Sequence, residues 1–100
     1  MHKLLVLYPE PADRTAFEQY YRTHHLPLAA RLPRVRWSRF SVALDGAPYA
    51  AVFEAEFDSR EDYVAAMASP EGQAVQADVP NYAPPGTLVL DFPVEQLTGG

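Results

Sequence analysis

The chain has 100 residues, a formal charge of −5 and no cysteine. With 48% apolar and 21% charged residues it is too hydrophobic for intrinsic disorder, and its length suits one domain over residues 1–100. The lack of cysteine excludes a disulfide framework, a thiol nucleophile and any Cys-bearing zinc or iron–sulfur centre.

Met1-His2-Lys3 leads into five apolar or aromatic residues, Leu4 to Tyr8, before Pro9. A signal peptide needs a longer apolar stretch and a spanning helix about 20 apolar residues, so a cytoplasmic protein with no membrane partner is expected. The run Lys3 to Tyr8 reads instead as a strand buried on both faces.

Asp13 can cap a helix whose apolar stripe is Phe17, Tyr20, Tyr21, His24 and Leu28. Pro27 has no N–H, and its ring would strike the carbonyl of Thr23. A break or kink near His25-Leu26 is therefore predicted, with Pro27 opening a further turn that ends near Leu32-Pro33. His2 is expected to be terminal and solvated.

Two β-rich runs follow, Val35 to Leu44 and Tyr49 to Phe57, joined by Asp45-Gly46-Ala47-Pro48, a hairpin signal. Side-chain parity puts Phe40, Val42, Leu44, Tyr49, Ala51, Phe53, Ala55 and Phe57 on a core face. Trp37, Arg39, Ser41, Val52, Glu54 and Glu56 share the other. A four-residue loop places Arg39 opposite Glu54, a favourable cross-strand pair. Residues 1–50 carry a balance of +3 and residues 51–100 one of −8, so this pairing lets the two halves neutralise each other. Arg31, Arg34, Arg36 and Arg39 are read the same way, and no nucleic-acid partner is expected.

Ser59 and Ser69 are each placed to cap a helix, the second with Pro70 at its first position. That second helix is predicted to end near Asp78, before Pro80. Asp78 and Asn81 are read mainly as capping the helix end and shaping the loop to the last strand, the alternative being that one of them orients His25 or a substrate carbonyl. Pro84-Pro85-Gly86 is a turn, and Thr87 to Phe92 a last strand.

The order β-α-β-β-α-β gives an α+β, ferredoxin-like antiparallel sheet with helices on one face. Its other face carries Trp37 and Val52 and would leave an apolar patch in water. Sheet-to-sheet packing of two copies would cover that patch, so a homodimer is expected.

These motifs resemble the EthD family, whose name comes from ethyl tert-butyl ether degradation. The resemblance rests on Lys3 to Tyr8, Phe17-x-x-Tyr20-Tyr21, His25-Leu26-Pro27-Leu28-Ala29 and Leu32-Pro33. It continues in Phe57-x-Ser59, Ala68-Ser69-Pro70-Glu71-Gly72 and Asp78-Val79-Pro80-Asn81-Tyr82, so that it spans residues 3–92. It implies a dimeric α+β barrel. Similar fungal proteins act as dehydratases or decarboxylases, and relatives on the same barrel include cofactor-free monooxygenases and an isomerase.

His25 is the candidate catalytic acid/base. It precedes the Pro27 break, matches the family's His-x-Pro position, and has an ordinary pKa of about 6.5, suited to proton transfer. The competing reading is a structural histidine bonded to a carbonyl freed at the kink. His24 is read as a core or rim residue. The six tyrosines suit a small-molecule pocket with apolar walls and polar tips. Tyr8 and Tyr21 are the candidate substrate hydroxyl donors, with Phe40, Phe53 and Met67 as apolar wall. No metal signature or cofactor-binding loop is present, and no cofactor is expected. The expected ligand is an apolar or aromatic, oxygen-bearing small molecule bound between sheet and helices. The expected chemistry is lyase- or isomerase-type proton transfer, or cofactor-free oxygenation. A non-catalytic ligand-binding or accessory protein is the alternative.

Overall fold

A computed structural model describes residues 1–46 and 48–99; Ala47 of the predicted hairpin loop and Gly100 lie outside the described residues. Strand β1 (His2–Pro9) is followed by helix α1 (Arg14–Tyr20), a π-helical segment (Tyr21–His25) and helix α2 (Leu26–Ala29). The hairpin β2 (Val35–Ser41) and β3 (Tyr49–Phe57) comes next, then helices α3 (Arg60–Ala68) and α4 (Pro70–Tyr82), then β4 (Leu88–Pro93). The sheet order is β2-β3-β1-β4 with every pairing antiparallel, which is the ferredoxin-like arrangement expected from the sequence.

In β1 the side chains alternate between buried and half-buried positions. Leu4, Val6 and Tyr8 join the core beneath the helices, whereas Lys3, Leu5 and Leu7 lie on the far face. The expectation that this strand is buried on both faces thus holds on one face only of a single chain.

Between α1 and α2 the helix widens instead of breaking. The Leu26 N–H reaches the carbonyl of Tyr21, five residues back, where Pro27 would collide with a regular turn. Phe17, Tyr21, His25 and Ala29 are consequently buried at steps of four. A regular α-helix would rotate such a series about 40° per step away from the core, and the wide turn takes up that drift. His25 therefore points inward and His24 is exposed, the reverse of the predicted stripe.

The hairpin pairs Arg39 with Glu54 as expected, with an irregularity between Val35 and Trp37. Lys3 meets Glu54 at 3.2 Å, Arg34 meets Asp62 at 2.9 Å, and Arg36 reaches Glu56 at 3.6 Å and Asp58 at 3.2 Å. The basic and acidic halves of the chain thus neutralise each other at the surface, where each pair adds little stability by itself.

Ser59 caps α3 by accepting from the Asp62 N–H, and Ser69 caps α4 by accepting from the Gly72 N–H at 3.0 Å. A Cβ on Gly72 would stand 2.7 Å from the Met67 Cα and closer still to the Ala66 carbonyl, so glycine is required where these helices touch. Helix α4 does not end near Asp78; it continues through Pro80 to Tyr82. Proline removes one donor from the ladder, and Ala83 N–H still closes onto the Val79 carbonyl at 2.9 Å. That extra turn carries Tyr82 into the core cluster.

The sheet's other face is open in the single chain. Leu88 and Leu90 are 40% and 42% exposed, beside Leu5, Leu7 and Val52. Among the described residues no helix is long and apolar enough to cross a membrane.

Candidate functional site

The widened turn and the prolonged α4 bring four polar side chains to one point. His25 is 4% exposed, and its Nδ1 lies 3.0 Å from Oδ2 of Asp78. The Tyr20 hydroxyl donates to Oδ1 of Asp78 at 2.7 Å, and the Asn81 amide donates to the same oxygen at 3.1 Å. With the carboxylate ionised, Nδ1–H donates to it, and Nε2 is left as the free lone pair. Nε2 has no hydrogen-bond partner among the described residues.

Electrostatics favour that assignment. Burial pushes the His25 imidazole below its ordinary value, against a smaller upward pull from Asp78. Burial alone would push the Asp78 carboxyl up, but hydrogen bonds from Tyr20, Asn81 and His25 hold it below the usual carboxylate value. Near neutrality the pair is therefore a neutral imidazole on an ionised carboxylate. An imidazole held in this way is oriented to accept a proton through Nε2.

Next to this pair stands a group of phenols. The hydroxyls of Tyr8 and Tyr82 lie 2.6 Å apart, and the Tyr82 ring packs 4.4 Å from that of His25. Tyr21 is fully buried and its ring stacks on His25 at 5.8 Å, while its hydroxyl has no hydrogen-bond partner. Burial holds all three phenols well above the ordinary tyrosine value, so they are neutral donors at any physiological pH.

A cavity of about 90 Å³ lies between sheet and helices, lined by Leu4, Val6, Tyr8, His25, Phe53 and Met67 among others. Four sequence-derived candidates therefore share one wall: His25, Tyr8, Phe53 and Met67. Tyr21 sits behind that wall, edge-on to Tyr8 at 5.3 Å. Phe40 lies apart at the β2 edge, 42% exposed, with Arg22 over its ring. Its core-facing parity is correct and it meets Tyr21 edge-on at 6.0 Å, but it is not among the residues that line the cavity.

Asp78 takes the orienting role toward His25 that the sequence offered beside capping, whereas Tyr20 and Tyr82 were not selected from the sequence. Tyr20 lay on the predicted stripe, and its contact to a carboxylate 58 positions away has no local signal. Tyr82 was masked by the expected helix end at Asp78. His2 is not solvated: it is 3% exposed, bonded to Oδ2 of Asp91 at 2.7 Å, and packed on Tyr63. Pairing β1 between β3 and β4 buries its first residue. Among the described residues no cluster of three or more His, Asp or Glu side chains is placed to hold a metal ion.

Comparison with known proteins gives a consistent pattern. A model of the EthD domain matches residues 9–86. An uncharacterized 11.0 kDa protein from the thcB-thcC intergenic region of Rhodococcus erythropolis is 38% identical over 96 residues, covering 90% of this chain and 91% of that protein. The crystal structure of an EthD family protein from Bacillus halodurans superposes with a TM-score of 0.88 at 25% identity, covering 95% of this chain and 99% of that one. A dimeric ferredoxin-like protein from Thermobifida fusca shares the fold at a TM-score of 0.72 and 16% identity, over 93% of this chain and 90% of that one.

Proposed function

Because the chain belongs to the EthD family, we propose that it binds an apolar or aromatic, oxygen-bearing small molecule between sheet and helices and moves a proton on it. His25 is the base. Its Nε2 takes a proton from a carbon next to the bound carbonyl, the electron pair passing to the carbonyl oxygen, while Asp78 stabilises the imidazolium that forms. Tyr8 donates to the substrate oxygen as negative charge grows there, and Tyr21 supports it. Returning the proton to a different atom, or losing a leaving group, gives isomerase- or lyase-type outcomes respectively. Cofactor-free oxygenation would start from the same deprotonation.

The observation that carries this reading is the buried 3.0 Å contact between His25 and Asp78, which leaves Nε2 free beside a cavity. The alternative reading is that the protein senses or carries a metabolite without transforming it. Pull-down of metabolites on the wild-type protein, followed by turnover assays with wild type and His25→Ala, separates the two. Turnover of a retained compound by wild type and its loss in His25→Ala is the expected result. Equal turnover by both proteins, or by neither, removes the catalytic role of His25.

The functional unit in this proposal is a homodimer packed through the open sheet face. The exposed Leu88 and Leu90 support it, as does the description of a structural neighbour as dimeric.

A further inference from the structure

We propose that an open cleft at the end of α4 is the outer half of the binding site, and that the Tyr82 side chain is a movable partition between it and the inner cavity. The site then accepts neutral, ring-bearing molecules with a hydroxyl or carbonyl at the leading end. This rests on the inner-cavity reading given above.

The inner cavity is too small to work alone. About 90 Å³ is roughly three water molecules' share of liquid volume, whereas small-molecule sites run to about 300–1,000 Å³. More room lies beyond Tyr82, which packs against two residues of the cavity wall. A cleft of about 760 Å³ is framed by Pro11, Ala16, Phe17, Tyr20, Tyr82 and Pro85. Tyr82 lines this cleft and also touches His25 and Tyr8, both of which line the inner cavity. Turning Tyr82 aside breaks its bond to the Tyr8 hydroxyl and its ring contacts with Tyr8, Phe17, Tyr20, Tyr21 and His25, and opens a way from the cleft to the Tyr8 and His25 side of the inner cavity. An incoming oxygen then replaces Tyr82 on Tyr8 and meets the hydroxyl of Tyr21, which is buried without a partner.

The walls state what else the ligand must be. Proline and aromatic rings suit a flat apolar body. The rim carries Glu10 and Asp13, and the nearby Arg14 is engaged by Glu10. Asp78 lies one hydrogen bond behind Tyr20. That distribution of charge opposes a carboxylate or phosphate at the entrance.

The test uses phenol as a short probe, 4-hydroxybiphenyl as a long one and biphenyl-4-carboxylate as an anionic one, with dissociation constants from calorimetry. Wild type is expected to bind both phenols and to bind the carboxylate about ten-fold or more weakly than 4-hydroxybiphenyl. Ala16→Trp, at an exposed position on α1, fills the cleft; it should weaken 4-hydroxybiphenyl about ten-fold while leaving phenol unchanged. Tyr82→Phe removes the latch with little change in packing and should raise the association rate of phenol several-fold by stopped flow. Unchanged binding of 4-hydroxybiphenyl in Ala16→Trp overturns the role of the cleft, and an unchanged association rate in Tyr82→Phe overturns that of Tyr82; in both cases phenol binding leaves the inner site standing. Failure of wild type to bind either phenol overturns the inner-site reading together with this one.

Discussion

His25 and Asp78 meet at 3.0 Å although 53 positions separate them, and neither side chain is more than 10% exposed. A polar pair removed from water in this way must be satisfied internally, and Tyr20 and Asn81 complete the carboxylate's shell. The arrangement has consequences for stability that do not depend on knowing the ligand.

Stability should fall as pH is lowered from 8 to 5. The folded imidazole has a pKa below its ordinary value of 6.5, so the unfolded chain binds the proton more tightly. The associated stabilisation is fully present above about 6.5 and is lost as pH falls through the lower, folded value. Asp78, also lowered, adds a loss of the same sign at more acid pH, below its ordinary 3.8. Urea unfolding at several pH values measures this, and His25→Phe should flatten the slope between pH 8 and 5. A wild-type protein that gains stability on acidification would contradict it.

The tyrosines should separate by partner. Tyr8→Phe removes a bonded hydroxyl and strands that of Tyr82, for a loss of about 0.5–1.5 kcal/mol. Tyr21→Phe removes a buried hydroxyl that has no partner, and should be neutral or stabilising by up to about 1 kcal/mol. Chemical denaturation of the two variants in parallel checks the order, and a larger loss in Tyr21→Phe would reverse it.

Gly72→Ala should destabilise the fold by about 1–3 kcal/mol, because the new methyl meets backbone atoms of Ala66 and Met67 that cannot rotate away. A thermal midpoint within a degree of wild type would show that α3 and α4 separate more easily than their packing suggests.

Leu90→Glu should convert a dimer into a monomer. Leu90 is 42% exposed and pairs with Leu5 on the open sheet face, on the edge strand β4. Light scattering after gel filtration at micromolar concentration should give twice the chain mass for wild type and the single mass for the variant. A monomeric wild type would leave the apolar face without its expected partner.

The fold was legible where local chemistry decides it. Asp45-Gly46 and side-chain parity set the hairpin so that Arg39 faces Glu54, and Ser59 and Ser69 mark two helix starts. Less was legible where long-range packing overrides a local rule. Pro27 produced a wide turn instead of a break, which exchanged His24 for His25 on the inner face. Pro80 failed to stop α4, because the packing of Tyr82 against Tyr8 and His25 rewards one more turn. Asp78 lies in a stretch where capping and orienting His25 look alike in sequence, and the folded chain decides for the second.

The most direct test of the central claim is the protonation state of His25 in the wild-type protein at pH 7.5, read from long-range ¹H–¹⁵N correlations of its ring. The expected result is a neutral imidazole with its proton on Nδ1 and a bare Nε2. A proton on Nε2, or a fully protonated ring, would contradict the assignment of His25 as a base held by Asp78.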